Sequence, residues 1–258
     1  MADVVVASEL PAGTKAVSPK TVSALPETEK GELTATTTDR SDSEVETDSD
    51  SDHGHRFTTE ETVLIFDWDD TVLPSSWVQE QGLRLDGESV LTDQQEEELQ
   101  ELARLANETL CTAKQFGTVV LVTNAEKGWI ELSCQKFLPL LIDTLADVKL
   151  LSARTEYEGA GHSSPFEWKL KAFESEIERL FKADCHRRKN ILSFGDSAHE
   201  REAVIHVTAT MPNCRTKSLK FVERPRIEQL RKQHTLVARC VRRLVHHDGN
   251  LDLCLRSV

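Results

Sequence analysis

The sequence lacks any apolar run long enough to cross a lipid bilayer, which takes about 20 residues, so we expect no membrane span. It also lacks a basic segment leading into an apolar one near its start, and we therefore expect no secretory signal. Its 6 cysteines include no Cys-x-x-Cys pair, and no histidines stand at zinc-like spacing. These absences favour reduced thiols and a cytoplasmic protein, with a nuclear location left open.

The chain has no basic excess either. Its formal net charge is -13, which suits a soluble protein and does not favour nucleic acid as a partner. The charge is unevenly distributed, because residues 1–55 hold 12 acidic residues against 4 Lys or Arg, whereas residues 215–258 hold 4 against 11. An acidic beginning and a basic end therefore flank the middle of the chain.

Residues 1–57 are rich in Ser, Thr, Asp, Glu, Pro and Ala and show little apolar periodicity, a composition that predicts a disordered acidic tail. Within this tail, residues 39–52 alternate hydroxyl and acidic side chains. One interpretation is a solubilising segment. The other is a target of an acid-directed kinase, which would add further charge. The candidate acceptors are Ser41, Ser43, Thr47, Ser49 and Ser51.

The stretch Thr62–Trp77 contains the strongest local signal. Its apolar run, Val63–Phe66, is typical of a strand buried on both faces, and it stops at Asp67, Asp69 and Asp70. In an open α/β sheet, ligands bind at the carboxyl ends of the strands. Acids this close together repel one another unless a cation lies between them, so we expect a hard divalent ion such as Mg²⁺.

Two further apolar runs, at residues 118–122 and 190–194, also end in polar side chains. The polar residues that follow these runs are Thr123, Asn124, Asp196 and Glu200. Gly195 permits a tight turn at the end of the later strand, and this turn brings Asp196 toward Asp67. The sequence therefore predicts a Mg²⁺ site at the carboxyl ends of parallel strands, facing a hydroxyl group.

A lysine completes this set. Apolar residues recur at helical intervals from Phe166 to Leu180 and place Lys169 on the apolar side of the helix. Lys171 falls roughly 160° from the centre of that stripe. An inward lysine needs an anionic partner, so we assign Lys169, not Lys171, to the site. The alternative is a lysine whose stem is buried while its amine reaches solvent.

These four segments resemble the four motifs of the haloacid dehalogenase-like (HAD) hydrolases, over about residues 60–222 and in the expected order. The matching residues are Asp67-x-Asp69-x-Thr71, Thr123, Lys169, and Gly195-Asp196 with Glu200. The resemblance implies a nucleophile, Asp67, that forms an aspartyl-phosphate, and a general acid and base, Asp69. It further implies that the phosphoryl oxygens are held by Thr123, Asn124 and Lys169.

The same resemblance implies a ligand set for Mg²⁺. The ion would be bound by the Asp67 carboxylate, the main-chain carbonyl of Asp69 and the Asp196 carboxylate. Glu200 and Thr71 would position these ligands without binding the ion themselves.

The acid at Asp69 favours phosphate chemistry over dehalogenation, because a halide needs no proton when it leaves. The segments between the motifs have no room for a full cap domain, so we expect an open site for a large substrate such as a phosphoprotein. A phosphatase of small metabolites, capped by oligomerisation, stays open as an alternative. So does a catalytically silent HAD-like interaction or scaffold protein.

The pattern as a whole predicts a three-layer α/β fold with a doubly wound, mostly parallel, Rossmann-like sheet. We expect a catalytic domain over residues 58–224, with a loop or flap at residues 74–91 and a helix that begins in a capping box of Thr92 and Gln95. Residues 225–258 are expected to form a basic amphipathic helix packed on that domain, followed by a short tail.

Overall fold

The computed structural model describes residues 4–5, 56–182 and 186–256. The strands found there are β1 (Val4–Val5), β2 (Thr62–Asp67), β3 (Thr118–Thr123), β4 (Lys149–Ser152), β5 (Lys189–Gly195), β6 (Cys214–Lys220) and β7 (Leu251–Leu255). The α-helices are α1 (Ser75–Glu80), α2 (Asp93–Lys114), α3 (Trp129–Phe137), α4 (Ile142–Leu145), α5 (Ala153–Tyr157), α6 (Pro165–Phe181), α7 (Ala198–Thr208) and α8 (Ile227–His246).

The strands form one sheet in the order β1-β7-β6-β5-β2-β3-β4. All neighbouring pairs are parallel except β1 with β7, which is antiparallel. From β2 the chain winds outward through β3 and β4, then crosses to β5 on the other side of β2 and winds outward again. Connections that diverge in this way leave a crevice at the carboxyl ends of the central strands. The predicted doubly wound, mostly parallel sheet is confirmed.

Helices cover both faces of this sheet. Leu64 and Phe66 of β2 pack on the side of α2 and α8, whereas Val63 and Ile65 pack on the side of α6 and α7. This alternation follows from the two-residue period of a strand. Phe66 stacks on Phe194 of β5 with ring centroids 4.3 Å apart. Burying side chains of this size contributes roughly 1.5–3 kcal/mol each, so the core stabilises the strand ends that carry the polar residues.

Capping residues set where two of the long helices begin. Thr92 and Gln95 form the predicted capping box at the start of α2, in which each side chain accepts a hydrogen bond from the other residue's main-chain N–H. At the start of α6, Ser164 caps the helix and Pro165 occupies its first position. Proline is favourable there because its missing N–H would have had no partner inside the helix. This start places Lys169 in the second turn of α6.

Two segments differ from what the sequence led us to expect. Residues 75–80, within the expected loop or flap, form helix α1. Residues 251–255, expected to belong to a short tail, form β7 and pair in parallel with β6. Leu253 and Leu255 of β7 are buried. The alternation of leucines with Asp252 and Cys254 is a strand signal, but it is too short to be distinctive beside the long helix before it.

Most of the predicted acidic tail, including the five candidate kinase acceptors, lies outside the described residues. Val4–Val5 is described and pairs with Cys254 and Leu255 of β7. Phe57, assigned to the tail from sequence, is buried, and the amine of Lys217 lies 5.0 Å from the centre of its ring. Packing on the domain therefore begins at or before Phe57.

No helix among residues 56–182 and 186–256 is both long enough and apolar enough to cross a membrane. The cysteines that the structure describes are free thiols, as expected. They are Cys111, Cys134, Cys214, Cys240 and Cys254, and Cys185 lies outside the described residues.

Candidate functional site

The candidate site lies where the central strands end. Asp67 is the last residue of β2 and stands opposite Val122 of the parallel neighbour β3, which ends at Thr123. Asp196 immediately follows β5 on the other side of β2. Because these strands run in parallel, their ends meet at one edge of the sheet, and residues more than 100 positions apart in sequence lie together there.

Lys169 reaches this edge from α6. Its ammonium group donates a hydrogen bond to Asp67 Oδ1 and another, of 3.0 Å, to the main-chain oxygen of Val122. The same nitrogen lies 3.1 Å from Glu200 Oε1. The Lys169 side chain is 1% exposed, which places the charge inside the protein. Lys171, in contrast, pairs with Glu174 at 2.6 Å near the surface.

Burial and charge shift the pKa values of these three groups in different directions. Burial raises the pKa of Asp67 well above its ordinary value, and the Lys169 ammonium opposes this only in part. Burial alone would lower the pKa of Lys169, but the Asp67 and Glu200 carboxylates outweigh it and raise the pKa. For Glu200, burial acts upward, but Lys169 and Ser197 bring its pKa below the ordinary value. Lys169 is therefore charged and has an ionised partner.

Asp67, Asp196 and Glu200 form a compact acidic group, because one carboxylate oxygen of each lies within 4.8 Å of the others. Burial raises the pKa of Asp196 to about 7, and repulsion from Glu200 and Asp70 adds to this effect. Carboxylate oxygens at this spacing are the ligands that hard divalent cations prefer. The group could therefore hold a cation, and Glu200 lies close enough to the two aspartates to belong to it.

Glu200 is held in this group from two sides. The hydroxyl and main-chain N–H of Ser197 donate to Glu200 Oε2 at 2.5 and 3.2 Å, which closes a capping box at the start of α7. A Cβ atom at Gly195 would lie 2.5 Å from Cγ of Glu200, closer than real Cβ contacts come. Gly195 therefore allows the Glu200 side chain to pass directly beside the end of β5.

Asp69 has partners for both of its carboxylate oxygens. The Thr123 hydroxyl donates to Oδ2 at 2.7 Å, and the indole N–H of Trp129 donates to Oδ1 at 2.9 Å. Thr123, expected to hold phosphoryl oxygens, therefore contacts the neighbouring acid in this structure. Trp129 could not be found from sequence, because its partner lies 60 residues away and a tryptophan at a helix start has no local signal for such a contact.

Asp70 fixes the loop that follows β2. Its carboxylate accepts hydrogen bonds from the N–H and the hydroxyl of Ser76 at 2.8 and 2.5 Å, at the beginning of α1. Its main-chain φ is 53°, in the left-handed region that Asp and Asn tolerate better than most side chains do. The carboxylate therefore supports the turn.

The remaining two predicted site residues are Thr71 and Asn124. The Thr71 side chain is fully buried, and its hydroxyl has no hydrogen-bond partner in the part of the chain that the structure describes. Asn124 donates from its amide nitrogen to the main-chain oxygen of Pro165 at 3.2 Å. In this position Asn124 ties the loop after β3 to the start of α6.

The site thus combines a carboxylate in contact with a charged amine, a second acid held between a hydroxyl and an indole, and further acids beside them. This combination suits chemistry on a dianionic group, which needs a nucleophile, a proton carrier and positive charge.

Comparison of the chain with protein-family models, with curated proteins and with solved structures found no match.

Proposed function

We propose that this protein is a Mg²⁺-dependent phosphomonoester hydrolase that works through an aspartyl-phosphate, as its resemblance to HAD hydrolases implies. The observation that carries the proposal is the burial of Lys169 between Asp67 and Glu200 at the carboxyl edge of the sheet. Burying an ion pair brings little or no net stability, so its presence where the central strands end favours a functional role. A phosphoryl group beside Asp67 would share the charge of this amine.

Asp67 is the nucleophile in this proposal. Its Oδ1 accepts the hydrogen bond from Lys169, and its other oxygen, Oδ2, would attack phosphorus. A bond from Asp67 to phosphorus forms while the bond from phosphorus to the leaving oxygen breaks. Lys169 holds the carboxylate in place and favours its ionised form, against the effect of burial.

Asp69 is the proton carrier. It gives a proton to the leaving oxygen, and in the second half of the reaction it takes a proton from the water that attacks the aspartyl-phosphate. The bond from phosphorus to Asp67 then breaks, which releases phosphate and restores the carboxylate. The Thr123 hydroxyl lies beside Asp69 and would turn to donate to a phosphoryl oxygen.

The acidic group would hold Mg²⁺ through Asp67, Asp196 and the main-chain carbonyl of Asp69, with Glu200 within reach. The fit rests on charge, since three carboxylates lie together beside the ammonium of Lys169 and the pKa values of Asp67 and Asp196 are both raised. When bound, the ion supplies positive charge that offsets the charge of the phosphoryl oxygens.

Mg²⁺ binding is expected to depend on pH because Asp196 must lose its proton to bind the ion. With a pKa of about 7 for Asp196, the affinity for Mg²⁺ should fall about tenfold for each pH unit below that value. The buried Asp196 carboxyl costs less to bury when it is neutral, so the folded state loses stability as this group ionises, that is, as pH rises toward and through about 7. Added Mg²⁺ should restore the lost stability. Calorimetric titration with Mg²⁺ over this pH range measures the first effect.

Asp196→Asn serves as the control for this titration. It should bind Mg²⁺ more weakly at every pH and show a flatter pH dependence, since the proton that competes with the ion is gone. An affinity of the original protein that does not change across neutral pH would contradict the assignment of Asp196 as a ligand.

We propose a phosphoprotein as the substrate, because the carboxyl edge is open. Between β2 and β3 the structure has only α1, α2 and a loop, and between β3 and α6 only short elements, so no inserted domain covers the edge in the described residues. The loop after β3 is tied to α5 by a 2.9 Å hydrogen bond from the N–H of Lys127 to the Thr155 hydroxyl. A substrate larger than a metabolite can therefore reach Asp69 and Asp196, which are partly exposed.

Phosphate release from aryl phosphates, phosphopeptides and sugar phosphates, measured with Mg²⁺ and with a chelator, tests the proposal. We expect release from phosphopeptides that falls at least ~100-fold when the metal is removed. Strong turnover of sugar phosphates without turnover of phosphopeptides would overturn the substrate class alone. No release from any compound would overturn the function and favour an interaction protein.

A further inference from the structure

Asp69 is held by two donors of different kinds. Thr123 donates through a hydroxyl that can rotate and can also accept, as it does from the N–H of Ala125 at 2.9 Å. Trp129 donates through an indole N–H that lies in a rigid ring and cannot accept. The two oxygens of Asp69 are therefore not equivalent, because Oδ1 faces a group that can only donate and Oδ2 faces one that can do either.

The indole is fixed in place by its own helix. Trp129 is the first residue of α3, and Gly128 before it adopts a φ of 91°, a conformation that glycine permits and that turns the chain into the helix. A second link joins the next turn of α3 to the loop after β2, since the indole N–H of Trp68 donates to the Ser133 hydroxyl at 3.0 Å. That hydroxyl donates in turn to the main-chain oxygen of Trp129 at 2.5 Å. The start of α3 is thus attached to Trp68 and Asp69, the two residues that follow Asp67.

We infer that Trp129 is a positioning residue for Asp69, and that its N–H keeps Oδ1 as an acceptor so that Oδ2 carries the proton given to the leaving oxygen. This inference rests on the proposed function. When the Thr123 hydroxyl turns to a phosphoryl oxygen, the hydrogen bond from Trp129 is the one that still orients the carboxylate. Without it, the carboxylate can rotate and can take its proton on the wrong oxygen.

Trp129→Phe removes the N–H and keeps an aromatic ring. The readout is kcat/KM for two substrates, a phosphoserine peptide, whose alkoxide must be protonated as it leaves, and p-nitrophenyl phosphate, whose phenolate leaves without a proton. We expect a loss of ~10- to ~100-fold for the peptide, the usual effect of losing a hydrogen bond to a charged group, and less than ~3-fold for the aryl phosphate. KM should change little for either substrate.

Trp168→Phe is the matched control. The Trp168 indole N–H donates to the main-chain oxygen of His162 at 2.8 Å and not to a carboxylate of the site. Its loss should therefore change kcat/KM by the same factor, if at all, for the two substrates. If Trp129→Phe does not fold, replacement of Trp129 by 3-benzothienylalanine keeps the bicyclic shape and puts sulfur where the N–H was. For that variant too, we expect a larger loss of kcat/KM for the phosphoserine peptide than for the aryl phosphate.

Equal losses on both substrates in the Trp129 variants would show a structural role and overturn the inference. No loss on the phosphoserine peptide would overturn it as well. In both cases the original protein still hydrolyses both compounds, so the proposed function stands. If the original protein hydrolyses neither compound, the proposed function fails and the inference fails with it.

Discussion

Replacing Asp67 with asparagine is expected to reduce phosphate release at least ~10³-fold, the scale seen when an enzyme loses its nucleophile. An amide cannot form the aspartyl-phosphate. The folded state should tolerate the change, because Asp67 is buried with a raised pKa and an uncharged side chain of the same shape costs less to bury. The measurement is steady-state phosphate release together with the thermal unfolding midpoint.

Asp70→Asn is the neighbouring control for that experiment. Asparagine tolerates the left-handed φ of 53° and can still accept a hydrogen bond from Ser76, so activity should stay within about tenfold of the original. If Asp67→Asn keeps substantial activity while Asp70→Asn behaves as expected, Asp67 is not the nucleophile. A cellular role that survives Asp67→Asn would favour an interaction protein.

Replacing Lys169 with methionine should lower the free energy of unfolding by about 3–5 kcal/mol and remove activity. The reason is that a buried carboxylate left without its counter-charge is strongly destabilising. In the described part of the chain, Lys169 is the cation that forms ion pairs with both Asp67 and Glu200. Acidification should reduce the loss, because the carboxylates then take up protons. Urea unfolding at neutral and acid pH measures both effects.

Lys171→Met, two residues away, provides the comparison. Lys171 pairs with Glu174 at the surface, and both side chains are more than a third exposed, so the change should leave the free energy of unfolding almost unchanged. If Lys169→Met destabilised the protein no more than Lys171→Met does, the amine of Lys169 would not be the counter-charge of the acidic group.

The positions of the strand ends could be predicted because each buried strand appears in the sequence as an apolar run that ends at a polar residue. Lys169 could be separated from Lys171 because helical periodicity fixes which side chains face the sheet. Contacts between distant elements could not be predicted in this way. The hydrogen bond from Trp129 to Asp69 depends on how α3 sits against the loop after β2, and no local pattern records that.

Glu200 shows the same limit. Its spacing from Asp196 indicated a role near the acids, and the capping box with Ser197 follows from local sequence. Its contact with Lys169 depends on how α6 and α7 pack against each other, which sequence periodicity leaves undefined. The sequence therefore predicted which residues approach the sheet edge better than it predicted which of them contact one another.

In the proposed reaction Asp67 carries the phosphoryl group, and chemical trapping can show whether it does. The protein is incubated with p-nitrophenyl phosphate and Mg²⁺, quenched, and treated with borohydride, which reduces an acyl phosphate of aspartate to homoserine. Mass spectrometry of the peptides then locates the product. We expect homoserine at position 67, with unmodified aspartate at positions 69, 70 and 196. Homoserine at another of these positions, or phosphate release with no trapped residue, would contradict the account.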